Sequence, residues 1–132
     1  MILLNDFKRQ WADTRQTALE TFDAVGASGW YVLGEQVRDF ESALAAFWTL
    51  RGSVGVASGL DALEIALRVL GCKPGDRVLT TPVSAFATAL AIVKLGATPV
   101  FVDVDAFGLL DLDAARRVLE KHRDIRFVVP VH

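Results

Sequence analysis

Cysteine is nearly absent. Cys72 stands alone in 132 residues, so no internal disulfide can form. That usage fits a reducing, cytoplasmic setting. Basic residues show no excess: 14 Lys and Arg stand against 16 Asp and Glu, for a net charge of -2. Nucleic-acid binding wants a basic face, and this balance offers none. No apolar run is long enough to cross a bilayer; the longest, around Ala85 to Val93, ends at Lys94. The N-terminus, "MILLNDFKRQ", contains an acidic residue and too short an apolar stretch for a secretory signal. There are two histidines, and neither belongs to a Ser-His-Asp order or an H-E-x-x-H motif. C-x-x-C, internal repeats and low-complexity segments are also missing. What is present is the profile of one soluble globular domain, 52% hydrophobic and 23% charged.

Hydrophobic periodicity organises the chain. Leu4, Phe7, Trp11, Ala18 and Phe22 predict an amphipathic helix over about 4–24. "GASGWYVLG" reads as a loop. Val37, Phe40, Leu44 and Phe47 predict a second helix over about 35–49. Residues 1–53 thus form a helical segment with an aromatic loop. From residue 54 to 132 the pattern alternates strand and helix. "VGVA" reads as a buried strand, and Leu60, Leu63, Leu67 and Leu70 line a helix that Gly71 stops. "KPGD" is a turn, and "RVLTT" a strand. Ser84 to Leu95 is apolar nearly all round and predicts a buried helix ended by Gly96. "TPVFVDV" is a strand, Asp111 or Asp113 caps a helix turning Ala115, Val118 and Leu119 inward, and "IRFVVPV" is a last strand. Such alternation predicts an α/β fold with a mostly parallel sheet and helices on both faces. The chain stops at His132 directly after an apolar strand, so we expect the N-terminal part of a longer protein. Alone it should behave poorly, because missing strands would leave apolar area uncovered.

The stretch "VGVASGLDALEIAL", Val54 to Leu67, carries the first candidate site. Ser58-Gly59 falls where a strand's carboxyl end meets a helix N-terminus, and free amides there attract anions. Ser58 with Asp61 is equally a capping pattern that satisfies the helix by itself. The stretch lacks G-x-G-x-x-G and G-x-x-x-x-G-K-[ST], which excludes a dinucleotide fingerprint and a nucleotide P-loop. A small phosphate ester stays open. In "TTPVSAFATALAI", Thr80 to Ile92, Ser84 and Thr88 offer hydroxyls and Phe86 a ring, yet a Ser cap and a core Phe in a buried helix explain the same residues. Asp103 and Asp105 lack a third metal ligand and read as loop or helix caps, so no metal site is expected. His122 lies near a helix C-terminus, where its interaction with the dipole is a structural role, while His132 ends a strand, where ligands bind.

The ordered set "GWYVLGEQVRDFESALAAF", "VGVASGLDALEIALRVLGCKPGDRVLTTPVSAFATALAIVKLGATPVFVDVD" and "VVPVH" resembles the DegT/DnrJ/StrS family of sugar aminotransferases, over about Gly29 to His132. The resemblance implies an aspartate-aminotransferase-like fold, here its large-domain beginning. It also implies a pyridoxal 5'-phosphate (PLP) cofactor and a homodimer sharing its active sites. The implied reaction transfers an amino group, from glutamate or glutamine, to a nucleotide-linked keto sugar in polysaccharide or antibiotic-sugar biosynthesis. The family's phosphate-binding turn corresponds to Ser58-Gly59-Leu60, with Leu60 in place of the usual Thr. The cofactor-stacking aromatic corresponds to Ala85, with Phe86 beside it. Trp30 and Tyr31 are implied near the substrate or the dimer contact, together with His132.

The family's Schiff-base lysine and its acidic partner for the pyridine nitrogen lie beyond residue 132. Lys73, Lys94 and Lys121 match no catalytic motif. A Schiff-base enzyme needs both groups. This chain alone is therefore expected not to transaminate. Two alternatives stand beside the aminotransferase: a truncated, non-catalytic interaction fragment, and a PLP-dependent sugar dehydratase relative.

Overall fold

The computed structural model describes residues 5–131. The chain divides into two compact units, Met1–Gly55 and Val56–His132.

The first unit contains α1 (Phe7–Ser28) and α2 (Glu35–Phe47). Asp6 sets the start of α1 by accepting hydrogen bonds from the Lys8 and Arg9 amides. Gly29 stops it in the left-handed region, at φ +66°, which glycine adopts without a Cβ penalty. The helix therefore runs four residues past its expected end and takes in the start of the presumed loop; Leu4 lies outside the described residues. No residue of α1 is buried. α2 matches its expectation and ends slightly earlier, with Ala45 buried.

The second unit is α/β. Its elements run α3 (Gly59–Val69), β1 (Arg77–Thr80), α4 (Phe86–Lys94), β2 (Thr98–Phe101), α5 (Leu112–Lys121) and β3 (Ile125–Val128). The three strands are parallel, in the order β2-β1-β3. Central β1 is buried on both faces. Val78 joins Leu67, Ile92, Leu95 and Phe127 on the side of α3 and α4. Leu79 joins Val102, Leu110, Ala115 and Ile125 on the side of α5, with Val118 and Leu119 packed against them. Because β2 and β3 flank β1 on opposite sides, two crossovers of the same hand must place α4 and α5 on opposite faces.

Four expectations need correction. "VGVA" is not a strand: Val54 is 82% exposed, and no described segment pairs with it. A strand exists only through its ladder, which an apolar pattern cannot supply by itself. Leu70 is exposed, because α3 ends at Val69 and Gly71 turns the chain away. α4 is not buried all round: Ala91 and Ile92 are buried, but Phe86 and Val93 are exposed. "TPVFVDV" and "IRFVVPV" pair as strands only over their first four residues. Of the two candidate caps for α5, Asp111 takes the role, accepting from the Asp113 and Ala114 amides at 2.9 Å.

Candidate functional site

The connectivity places the candidate residues. Helix α3 leads into the start of β1, so its own N-terminus points to the edge where the strands end; α4 leaves β1 at that same edge. The connection after β1 runs to one face of the sheet and the connection after β2 to the other. In open parallel sheets, loops that diverge in this way open a crevice beyond the carboxyl ends of the two strands. A cavity of about 370 Å³ lies there, lined by Thr81, Pro82, Ser84, Ala85, Phe86, Thr88, Ala89 and Phe101. Its lining is neutral: apolar walls, with hydroxyls from Thr81, Ser84 and Thr88. It offers orientation and water exclusion, and no proton-transferring group.

Ser58 caps α3. Its Oγ accepts from the Asp61 amide at 3.2 Å and donates to Asp61 Oδ2 at 2.7 Å. The cap is thus real, but it satisfies one amide only. Among the described residues, the Gly59 and Leu60 amides have no acceptor. A Cβ built on Gly59 would meet nothing within 4 Å, so the space beside its Cα is open. Two unpaired amides, open space and a helix dipole fit a phosphate. Capping and anion binding are therefore compatible here rather than competing. Leu60 adds no polar atom.

Phe86 is not a core residue: it is 77% exposed and lines the cavity. Ser84 does not cap α4 either. Ala85 occupies the cap position with no side-chain hydrogen bond, and Ser84 bonds Thr88 instead. Phe101, half exposed at the end of β2, lines the same cavity and was missed in the sequence. The sequence carried no signal for it, because the expected strand ran on to Val104 and only the shorter β2 puts Phe101 at a carboxyl end.

Trp30 and Tyr31 belong to the first unit and are exposed in the loop between α1 and α2. Arg38 lies over the Trp30 ring at 5.1 Å, and the Tyr31 hydroxyl donates to the Gly26 carbonyl at 3.4 Å. His132 lies outside the described residues. His122 caps the end of α5, its Nδ1 3.4 Å from an Arg77 nitrogen. Asp103 and Asp105 accept hydrogen bonds from nearby backbone amides, Asp103 from Val104 and Asp105 from Phe107 and Leu109. Among the described residues no group of acidic, His or Cys side chains could hold a metal, and no helix is long and apolar enough to cross a membrane.

The three lysines of the second unit all lie at the edge of the sheet opposite the cavity. Lys73 precedes β1, Lys94 ends α4 and Lys121 ends α5. Lys94 is also engaged by Glu64 of α3, which accepts from Arg68 as well. That pairing holds the Glu64 carboxyl below its ordinary range and raises the Lys94 ammonium, in each case chiefly through their mutual hydrogen bond.

Comparison with known proteins gives a family context. Residues 12–132 match the model of the DegT/DnrJ/EryC1/StrS aminotransferase family. The chain is 36% identical over 130 residues to a dTDP-3-amino-3,4,6-trideoxy-alpha-D-glucose transaminase of Micromonospora megalomicea, covering 98% of this chain and 33% of that protein. It superposes on DesV of S. venezuelae with a TM-score of 0.89 at 35% identity, covering 96% of this chain and 34% of that one. The Bacillus subtilis protein ntda, solved with bound cofactor PMP, gives a TM-score of 0.83 at 30% identity, covering 91% and 27%. The chain thus spans about a third of the length of the relatives it matches. With the family match running over most of its residues, the chain belongs to the DegT/DnrJ/EryC1/StrS aminotransferase family.

Proposed function

We infer that this chain supplies the cofactor-phosphate end of the large domain of a PLP-dependent sugar aminotransferase. The observation that carries the reading is the N-terminus of α3, at the carboxyl edge of the sheet, where the Gly59 and Leu60 amides have no acceptor among the described residues and the Gly59 Cβ position is open. When bound, PLP supplies an electron sink for amino-group transfer. The chain's own residues hold and cover it. The Ser58-Gly59-Leu60 turn donates backbone hydrogen bonds to the phosphate, and Ser58 keeps α3 capped beside it. Phe86, exposed at the cavity, covers the ring where Ala85 offers no aromatic face. The apolar walls, including Phe101, exclude water.

The substrate in this reading is a nucleotide-linked keto sugar, with glutamate or glutamine as amino donor; similarity to the Micromonospora transaminase supports it. Trp30 and Tyr31, exposed in their loop, suit a contact with substrate or with the second subunit of a homodimer. Lys73, Lys94 and Lys121 sit at the opposite edge of the sheet, which supports the expectation that this stretch by itself transfers no amino group.

The test uses the protein encoded by the complete reading frame. Purified with PLP, it should show the visible absorption band of bound cofactor and lose it on incubation with glutamate. A full-length protein that takes up no PLP sinks the reading.

A further inference from the structure

The connection from β1 to α4 is knit by hydroxyls. Thr81 Oγ1 accepts from the Val83 amide at 3.3 Å, and the Ser84 amide donates to the Pro82 carbonyl at 3.1 Å. Ser84 Oγ lies 2.7 Å from Thr88 Oγ1. A threonine within a helix ordinarily returns its hydroxyl to the carbonyl four residues back. Thr88 also turns four residues back, but to the side chain of Ser84, which lies outside the helix. The bond therefore spans Ala85, the cap position that has no capping atom of its own, while the Thr88 amide donates to the Ala85 carbonyl at 3.0 Å.

Thr88 and Phe86 share the first turn of α4 and differ sharply in exposure. Thr88 is 7% exposed and Phe86 77%. Among the described residues no aromatic or cationic partner holds the Phe86 ring. The part-buried Ser84–Thr88 hydroxyl bond is the side-chain link that spans the turn presenting this ring. We propose that Thr88 is a positioning residue: its hydroxyl, through Ser84, locks the entry into α4 and fixes the angle at which Phe86 meets the cavity. The functional part of this inference rests on the PLP reading above, and it adds a residue that acts through the turn carrying Phe86.

The test compares Thr88→Val, which removes the hydroxyl, with Thr88→Ser, which keeps it, both in the full-length protein. Hydrogen exchange is followed at the Ser84 and Thr88 amides without cofactor, PLP affinity by absorption titration, and Tm by thermal melting. Thr88→Val should speed exchange at those two amides and weaken PLP by about tenfold, the scale of one lost hydrogen bond. Thr88→Ser should restore both. Wild-type exchange in Thr88→Val overturns the proposal whatever happens to PLP. So does a Thr88→Ser protein as impaired as Thr88→Val, or faster exchange spread through the whole domain with a matching fall in Tm. A wild-type protein that takes up no PLP overturns the functional role while the exchange result still decides whether the hydroxyl locks the turn.

Discussion

Gly59 separates what a residue does for folding from what it does for a ligand. A Cβ there meets no protein atom within 4 Å, and glycine at a helix start gives up more conformational freedom than alanine. Gly59→Ala should therefore leave Tm unchanged or slightly higher. In the proposed site the same methyl group would stand beside two donor amides, and hydrogen bonds to a charged group contribute about 1.5–3 kcal/mol each. PLP affinity of the full-length variant should fall by at least about tenfold. Unchanged affinity would remove Gly59 from the phosphate site. Ser58→Ala tests the complementary side: it removes the acceptor for the Asp61 amide and should cost about 1 kcal/mol in a denaturant melt. The cap was legible in the sequence because Ser58 and Asp61 stand three apart, the spacing from a helix cap to the amide it accepts. The availability of the next two amides was not legible, because it depends on what the surroundings leave open.

Elements divide in the same way between local and distant causes. α2, α3 and α5 were legible because their apolar spacing lies within each segment, helped by the Ser58 cap and Gly71 stop of α3 and the Asp111 cap of α5. The glycine stops held for a stated reason. Gly96 sits at φ +71°, and a Cβ there would come 3.0 Å from Pro74 Cβ. Gly96→Ala thus meets both backbone strain and a tight contact, and should destabilise the protein by about 1–3 kcal/mol, read as a lowered midpoint in urea. Gly71, at φ +86° with nothing near its Cβ, should cost less on the same substitution. The strand expected at Val54 to Ala57 failed because pairing is a property of two segments, only one of which the pattern describes. Phe86 failed by composition: an apolar helix reads as buried, yet one turn of α4 borders the crevice between diverging loops. Sequence thus located the sheet's helices and the capped N-terminus of α3 at Ser58, while the crevice, with Phe101 on its wall, emerged only when β2 was placed beside β1.

For the second unit as a whole, two ion pairs link elements that the hydrophobic clusters also join. Glu64 ties α3 to Lys94 at the end of α4, and Arg77 of β1 pairs with Asp124 just before β3 at 2.9 Å. Hydrogen bonding from Lys94 lowers the Glu64 carboxyl, and hydrogen bonding from Arg77 lowers that of Asp124. A carboxyl held below its unfolded value stabilises the fold above that unfolded value, and the contribution disappears as pH falls through the folded one. Lys94 is raised, so its contribution is complete below the unfolded lysine value and disappears as pH climbs through the folded one. Stability should accordingly be flat between the two ranges. It should decline below about pH 4, and on the alkaline side from about pH 8.5 for the Cys72 thiol and from about pH 10 for Lys94. The ion-paired groups are near the surface, so their declines should be small and should shrink in 1 M salt. Urea midpoints at pH 3, 7 and 11, with and without salt, check the profile. Glu64→Gln should flatten the alkaline arm, because it removes the partner that raises Lys94. An alkaline decline that survives Glu64→Gln would place its origin elsewhere, and the candidate is Cys72. Burial, reinforced by Asp76, raises that buried thiol, so it should stay protonated and resist alkylation until the core around Leu67 and Phe127 opens. Following Cys72 alkylation across the same pH series therefore distinguishes loss of the surface ion pair from opening of the core.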